Sequence, residues 1–164
     1  PGITVSSGTS GNVVVRNLTL TAAGNAFSTA VGATATITLE NCYLPGTTHG
    51  VPFTTKQGNA ICHEGSGALT LRDTYITGPW HSSVRTAATA NIIGGVITAT
   101  DSGDHAVWGG DATKGTIRFV GAALRGAGKS NVTGGATIQA DTTIGRTGGI
   151  SSPAISWSGT TTLP

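Results

Sequence analysis

The stretch 69-LTLRDTYI-76 decides how the chain folds. Apolar and polar residues alternate over its first four positions, Asp73 follows, and Ile76 is the next apolar residue, three positions further on. Strict alternation is typical of a β-strand with one buried face. Because Asp favours tight turns, the stretch predicts a strand that ends in a corner.

The same pattern recurs along the chain. It reads VVVRNLTL at 13–20, ITLENCYL at 37–44, ANIIGGVI at 90–97 and IRFVGAAL at 117–124, with a degenerate copy, IQADTTI, at 138–144. The predicted inward pairs are Val13/Val15, Ile37/Leu39, Leu69/Leu71, Ala90/Ile92, Ile117/Phe119 and Ile138/Ala140. The second residues of these pairs are separated by 24, 32, 21, 27 and 21 positions. These intervals fit the repeat length of stacked solenoids.

The intervals between the copies leave no room for helices, which argues against a βαβ arrangement. A hairpin sandwich is disfavoured, because the equivalent strands keep one direction of pattern and recur at long intervals. A second, shorter apolar segment precedes most copies, at 25–31, 59–63, 81–84 and 105–108. The chain is therefore predicted to be all-β: a right-handed parallel β-helix of about six irregular coils.

We expect one domain over residues 1–164, with a lead-in at 1–10, coils at 11–150 and a tail or cap at 151–164 that includes Trp157. Insertions at 45–58 and 109–115 should protrude as loops.

Stacking such coils in register predicts ladders of equivalent residues. An internal apolar column would contain Leu20, Leu44, Ile76, Ile97 and Leu124. A corner position would hold Asn17, Asn41, Asp73, Gly94 and Gly121. The Asn and Asp side chains are expected to hydrogen-bond the local backbone there. Outside the coils, Arg16, Glu40 and Arg72 would form a charge ladder, and Tyr43 and Tyr75 would share a position and stack.

Composition limits the function classes. Nine basic and seven acidic residues are scattered, with a net charge of +2, which predicts no nucleic-acid partner. The chain has no run of about 18 apolar residues, so it is predicted to have no membrane span. No signal peptide is visible. The start at Pro1 suggests a processed or excised piece, and the Thr-, Ser- and Gly-rich composition suggests a virion or extracellular location. Cys42 and Cys62 are expected to be free and packed.

On this coil pattern the chain resembles the pectate-lyase-like superfamily of right-handed parallel β-helices, including the spikes, fibres and head decorations of tailed bacteriophages. The resemblance covers roughly residues 11–150 and lies in the coil pattern rather than in a family signature. It implies a virion component that assembles as a homotrimer with other virion proteins.

Few residues suggest catalysis. Glycoside hydrolysis needs two carboxyl groups that flank the scissile bond, and the candidates are Asp101, Asp104, Asp111 and Glu64. The alternative is that Asp101 and Asp104 initiate turns beside Gly103. The acid pairs and GHG-type motif of β-helical pectin hydrolases are not present. We expect a non-catalytic protein; an enzyme with this sequence would be a polysaccharide hydrolase or lyase.

Binding candidates are aromatic residues and a histidine, because aromatic faces stack on sugars or anchor interfaces. They are Trp80, Trp108, His105, Tyr43 and Tyr75. For Trp80 and Trp108 the alternative is packing in the coil or its corners. His63, His81 and His105 lie in the short segments of successive coils and could lie together, binding a metal or responding to pH, or could be isolated. We expect isolated histidines, no metal site and no cofactor.

Three functions remain open at this stage. The first is a structural or adhesive virion component, which contacts other virion proteins and host-surface polysaccharide. The second is a polysaccharide-binding or depolymerising domain. The third is the passenger domain of a secreted bacterial adhesin.

Overall fold

The computed structural model describes residues 2–22, 24–46, 58–78, 80, 82–99, 105–108, 116–126, 135–138, 143–146 and 161–162. Within these residues the chain forms seventeen β-strands. They are β1 (Ile3–Val5), β2 (Asn12–Arg16), β3 (Phe27–Thr29), β4 (Thr36–Glu40), β5 (Tyr43–Pro45), β6 (Asn59–His63), β7 (Leu69–Arg72), β8 (Tyr75–Thr77), β9 (Ser82–Thr86), β10 (Ala90–Ile93), β11 (Val96–Ala99), β12 (His105–Trp108), β13 (Thr116–Val120), β14 (Ala123–Gly126), β15 (Gly135–Ile138), β16 (Thr143–Arg146) and β17 (Thr161–Thr162).

The strands form three parallel sheets, and each strand pairs with its equivalents in the neighbouring coils. Sheet A has the order β1-β3-β6-β9-β12, sheet B β17-β15-β13-β10-β7-β4-β2, and sheet C β16-β14-β11-β8-β5. A chain that returns to each sheet once per coil is a β-helix, of the right-handed type. The predicted fold is confirmed.

The number of coils differs slightly from the prediction of about six. About four coils are complete, with a strand in each sheet: β3–β5, β6–β8, β9–β11 and β12–β14. Two strands lie outside the segment predicted to form coils. Strand β1, in the predicted lead-in, pairs with β3, and β17, in the predicted tail, pairs with β15.

The core fills the space between the three sheets. In sheet B the second inward residues Leu39, Leu71, Ile92 and Phe119 are 0%, 1%, 1% and 0% exposed. In sheet C the predicted column of Leu20, Leu44, Ile76, Ile97 and Leu124 is buried throughout. Sheet A adds Phe27, Ile61, Val84 and Val107, which are all 0% exposed. Alternation along the strands of sheet B thus turns one apolar row inward, as the sequence predicts.

The corners between sheets B and C depend on residues in the left-handed backbone region. Asn17, Asn41 and Asp73 have φ values of 56°, 50° and 46°, a conformation that Asn and Asp adopt more readily than other residues with a side chain. The Asn41 amide Nδ2 donates to Asn17 Oδ1 at 2.8 Å. This hydrogen bond runs between coils, whereas the sequence predicted a bond to the local backbone.

Gly94 continues the corner column with a φ of 64°. A Cβ atom at this position would overlap Asp73 Oδ1 in the coil before it. A side chain at this corner would have to displace the Asp73 carboxylate, and the positive φ favours glycine in addition.

The residue after the corner has a small side chain whose polar group contacts a backbone carbonyl of the preceding coil. The Cys42 thiol lies 3.6 Å from the Val15 carbonyl oxygen, and the Thr74 hydroxyl donates to the Leu39 carbonyl at 3.2 Å. Cys42 and Cys62 are thiols that are not joined in a disulfide, and they are buried, at 1% and 3% exposure. The prediction for the two cysteines is confirmed.

The predicted charge ladder lies in register on the outer face of sheet B. Arg16 Nε donates to Glu40 Oε2 at 2.7 Å, with the two side chains 64% and 34% exposed. Among the described residues, Glu40 of the ladder is ion-paired with Arg16, and Arg72 is its register partner on the other side. An exposed pair of this kind contributes about 0–1 kcal/mol to stability.

Candidate functional site

Two tyrosines stand side by side on the outer surface of sheet C. Tyr43 on β5 and Tyr75 on β8 are in register, and their neighbours Leu44 and Ile76 point into the core. Tyr43 is 44% exposed and Tyr75 is 47% exposed. Adjacent strands are about 4.8 Å apart, so the two phenol side chains start from neighbouring positions on this surface. The shared position predicted from the sequence is confirmed.

Backbone and side-chain hydrogen bonds hold this surface in place. The Tyr43 amide donates to the Leu18 carbonyl at 2.9 Å, and the Tyr75 amide donates to the Cys42 carbonyl at 2.9 Å. The Thr77 hydroxyl donates to the Tyr43 hydroxyl at 3.3 Å. These contacts fix the backbone of both tyrosines and hold the Tyr43 side chain, which reduces the ordering that is required when a ligand binds.

We call the outward residues of sheet C the tyrosine face. Its members with described side chains are Tyr43, Pro45, Tyr75, Thr77, Val96, Thr98, Ala123 and Arg125. Among them Arg125, exposed on β14, is the charged residue. The face combines two aromatic rings with hydroxyl groups and one cation. This chemistry suits a ligand with an apolar ring face and many hydroxyl groups.

Trp80, another predicted binding residue, is in the core. Its side chain is 3% exposed and packs in the apolar cluster. The indole Nε1 donates to the Leu44 carbonyl at 3.4 Å. Of the two roles that the sequence left open for Trp80, its position corresponds to packing.

The remaining binding candidates lie on β12. His105 is in register with Ser82, and Trp108 is in register with Arg85. The candidate acids Asp101, Asp104 and Asp111 lie outside the described residues, as do His81 and Trp157.

Glu64 is the one candidate acid within the described residues. Its side chain is 19% exposed, and its Oε1 lies 4.0 Å from the Arg85 guanidinium, at the limit of an ion pair. Its backbone amide donates to the Thr29 hydroxyl at 3.1 Å. Glu64 thus lies in the turn after β6, on the border of sheet A.

His63 is a packed residue at the end of β6. It is 0% exposed and in register with Thr29 and Thr86. His105 pairs instead with Ser82, which pairs with Asn59 at the other end of β6. The two histidines are therefore offset by four positions along sheet A.

Both ring nitrogens of His63 are hydrogen-bonded. Nε2 lies 2.7 Å from the Gly67 carbonyl oxygen, and Nδ1 lies 2.8 Å from the Thr29 hydroxyl oxygen. Because a carbonyl can only accept, Nε2 carries the proton and Nδ1 accepts from Thr29. Burial lowers the pKa of His63 from its ordinary value, and the hydrogen bond to Gly67 opposes this effect. Burial dominates because it penalises the charged ring.

The sequence analysis missed the partnership between Thr29 and His63. A signal for it exists in the two short segments NAFST at 25–29 and NAICH at 59–63, which start alike. Aligning them on the shared Asn-Ala places Thr29 opposite His63, as in the structure.

Within the described residues, no group of three or more His, Cys, Asp or Glu side chains is arranged to hold a metal ion. The same part of the chain contains no helix that is long and apolar enough to span a membrane.

Comparison of the chain with known protein families, with curated proteins and with solved structures finds no match. The fold therefore defines the class, a parallel β-helix, and the function has to be inferred from the residues.

Proposed function

We propose that the chain is a non-catalytic structural and adhesive module of a virion, such as part of a phage fibre, spike or capsid decoration, and that it contacts host-surface glycans. The observation that carries the adhesive part is the exposed pair Tyr43 and Tyr75, which are held in register on the tyrosine face. The virion part rests on the resemblance of the coil pattern to phage β-helices. The same resemblance supports a homotrimer.

The tyrosine face fits a polysaccharide for two reasons. The C–H groups of a sugar ring pack against an aromatic ring, which also presents a polar hydroxyl at its edge. The two tyrosines lie one strand spacing apart, about 4.8 Å along the axis, and Thr77 adds a hydroxyl group on the same face, so a sugar chain would meet aromatic and polar groups together.

The test is binding of the purified protein to a panel of immobilised bacterial surface glycans. We expect at least one glycan to bind, and the double variant Tyr43→Ala/Tyr75→Ala to raise the Kd about tenfold, which corresponds to about 1.4 kcal/mol. Val31→Ala is the matched control, because Val31 is an exposed apolar residue (66%) in the turn after β3. The control should bind as the wild type does.

Two results would contradict the proposal. Wild-type protein that binds no glycan across a broad panel would remove the adhesive role. A solution mass of a monomer, together with no affinity for virion proteins, would remove the structural role. Cleavage of a bound glycan would favour the depolymerising alternative instead.

A further inference from the structure

The hydroxyl group of Thr29 connects two coils through the ring of His63. Thr29 Oγ1 accepts from the Gly65 amide at 3.0 Å and from the Glu64 amide at 3.1 Å, and its proton goes to His63 Nδ1. The hydroxyl therefore uses both of its acceptor sites and its single donor. At its other nitrogen, His63 donates to the Gly67 carbonyl, so the ring closes the turn at 64–67 onto β3 and β6.

Protonation of this ring conflicts with the network. A proton on Nδ1 would turn that nitrogen into a donor that faces a hydroxyl proton. Thr29 would have to rotate its hydroxyl and release one of the two amides to accept from the ring. A buried imidazolium would in addition lose its hydration at an apolar site.

We propose that His63 is an acid-sensitive latch, which holds the turn at residues 64–67 closed while the ring is neutral and lets it open when the ring takes up a proton.

The neighbouring charges do not offset this effect through a contact with the ring. The titratable or charged groups on the elements packed against His63 are Cys62 on β6, Glu64 in the following turn and Arg85 on β9. The Glu64 carboxylate lies beside the Arg85 guanidinium. Cys62 precedes His63 in β6, so its side chain lies on the opposite face of the strand. Thr29 on β3 and Thr86 on β9 bring hydroxyl groups. The described inward residues of sheets B and C are apolar.

The direction of the pH dependence follows from the lowered pKa of His63 in the folded state. The open turn exposes the ring and restores a pKa near 6.5, so the open state binds protons more tightly. The latch is fully closed above pH 6.5 and weakens as the pH falls from 6.5 towards the folded-state pKa. Within that window the ratio of open to closed turns rises by up to about tenfold per pH unit.

Hydrogen exchange of single backbone amides, corrected for intrinsic exchange rates, tests the latch in the intact protein. The reporter is the Gly65 amide, which donates to Thr29 Oγ1. The internal control is the Asn41 amide, which donates to the Arg72 carbonyl at a distant corner. Between pH 7.5 and pH 5 we expect the protection of Gly65 to fall by up to about tenfold per unit below 6.5, while that of Asn41 stays constant.

Matched variants connect the effect to the ring. His63→Asn should remove the pH dependence at Gly65, and His105→Asn should leave it unchanged. Thr29→Ser keeps the hydroxyl group and should therefore retain the pH dependence at Gly65. Thr29→Val should leave Gly65 poorly protected at every pH, and this readout remains available if His63→Asn does not fold.

The proposal is overturned if protection at Gly65 in the wild type is the same at pH 7.5 and pH 5. It is equally overturned if His63→Asn or Thr29→Val shows the wild-type pH dependence. None of these results depends on whether the protein binds a glycan, so the latch and the proposed function fail separately.

Discussion

Single residues with a left-handed backbone determine where the coils turn from sheet B to sheet C. The sequence alone predicts that Asn17, Asn41 and Asp73 share a position, because they follow the same alternating pattern. It could not predict the hydrogen bond from Asn41 to Asn17, because that bond depends on the spacing of neighbouring coils. Nor could it show that Asp73 excludes a side chain at Gly94. Corner residues are thus selected by backbone conformation and by the coil next to them.

Asn41 offers a test of this account at the residue scale. Asn41→Val should lower the free energy of unfolding by about 1–2 kcal/mol, because a β-branched residue is strained at a φ of 50°. Asn41→Gly should cost less, because glycine adopts this φ freely and loses the side-chain bond alone. Urea denaturation of both variants measures the difference. A valine variant as stable as the glycine variant would show that the backbone conformation does not limit this corner.

At the scale of strands, the alternation of apolar and polar residues made the inward rows of sheet B predictable. The strands of sheet A alternate less clearly, so their register could not be predicted from this pattern. All five residues of β6 are buried, so NAICH shows no polar and apolar alternation from which its register could be read. For that reason alternation could not show that His63 is offset from His105. The alignment of His63 with Thr29 could be read only from the Asn-Ala that the two segments share. A strand covered on both faces carries no period-two signal.

Core leucines also differ in burial between coils. Leu20 in the first coil is 9% exposed, whereas Leu39 in the second coil is 0% exposed. Leu39→Ala should therefore cost about 2–5 kcal/mol, the usual range for a closed core site. Leu20→Ala should cost less, because the space that it leaves is already partly open to water. Chemical denaturation of the two variants compares them, and an equal cost would show that the first coil is packed as tightly as the second.

For the molecule as a whole, the repeated coil pattern was enough to predict an all-β parallel solenoid. The prediction of about six coils took every copy of the pattern as a full coil, while among the described residues about four coils have a strand in all three sheets. The site was less predictable. Tyr43 and Tyr75 were identified because they occupy equivalent positions in two copies. Trp80 could not be placed from sequence, because its burial depends on how the chain turns after Gly78.

The central claim, that consecutive coils stack in parallel and in register, can be tested by disulfide cross-linking. Thr38 and Thr70 are register partners on the outer face of sheet B, and a strand spacing of about 4.8 Å suits a disulfide. Thr36 and Arg72 are offset by four residues, roughly 13 Å along the strands. The native Cys42 and Cys62 are buried and should not compete.

On mild oxidation the variant Thr38→Cys/Thr70→Cys should form an intramolecular disulfide, identified by mass spectrometry of its peptides, and Thr36→Cys/Arg72→Cys should remain reduced. A cross-link in the second variant and none in the first would contradict the register and the stacked-coil account that depends on it.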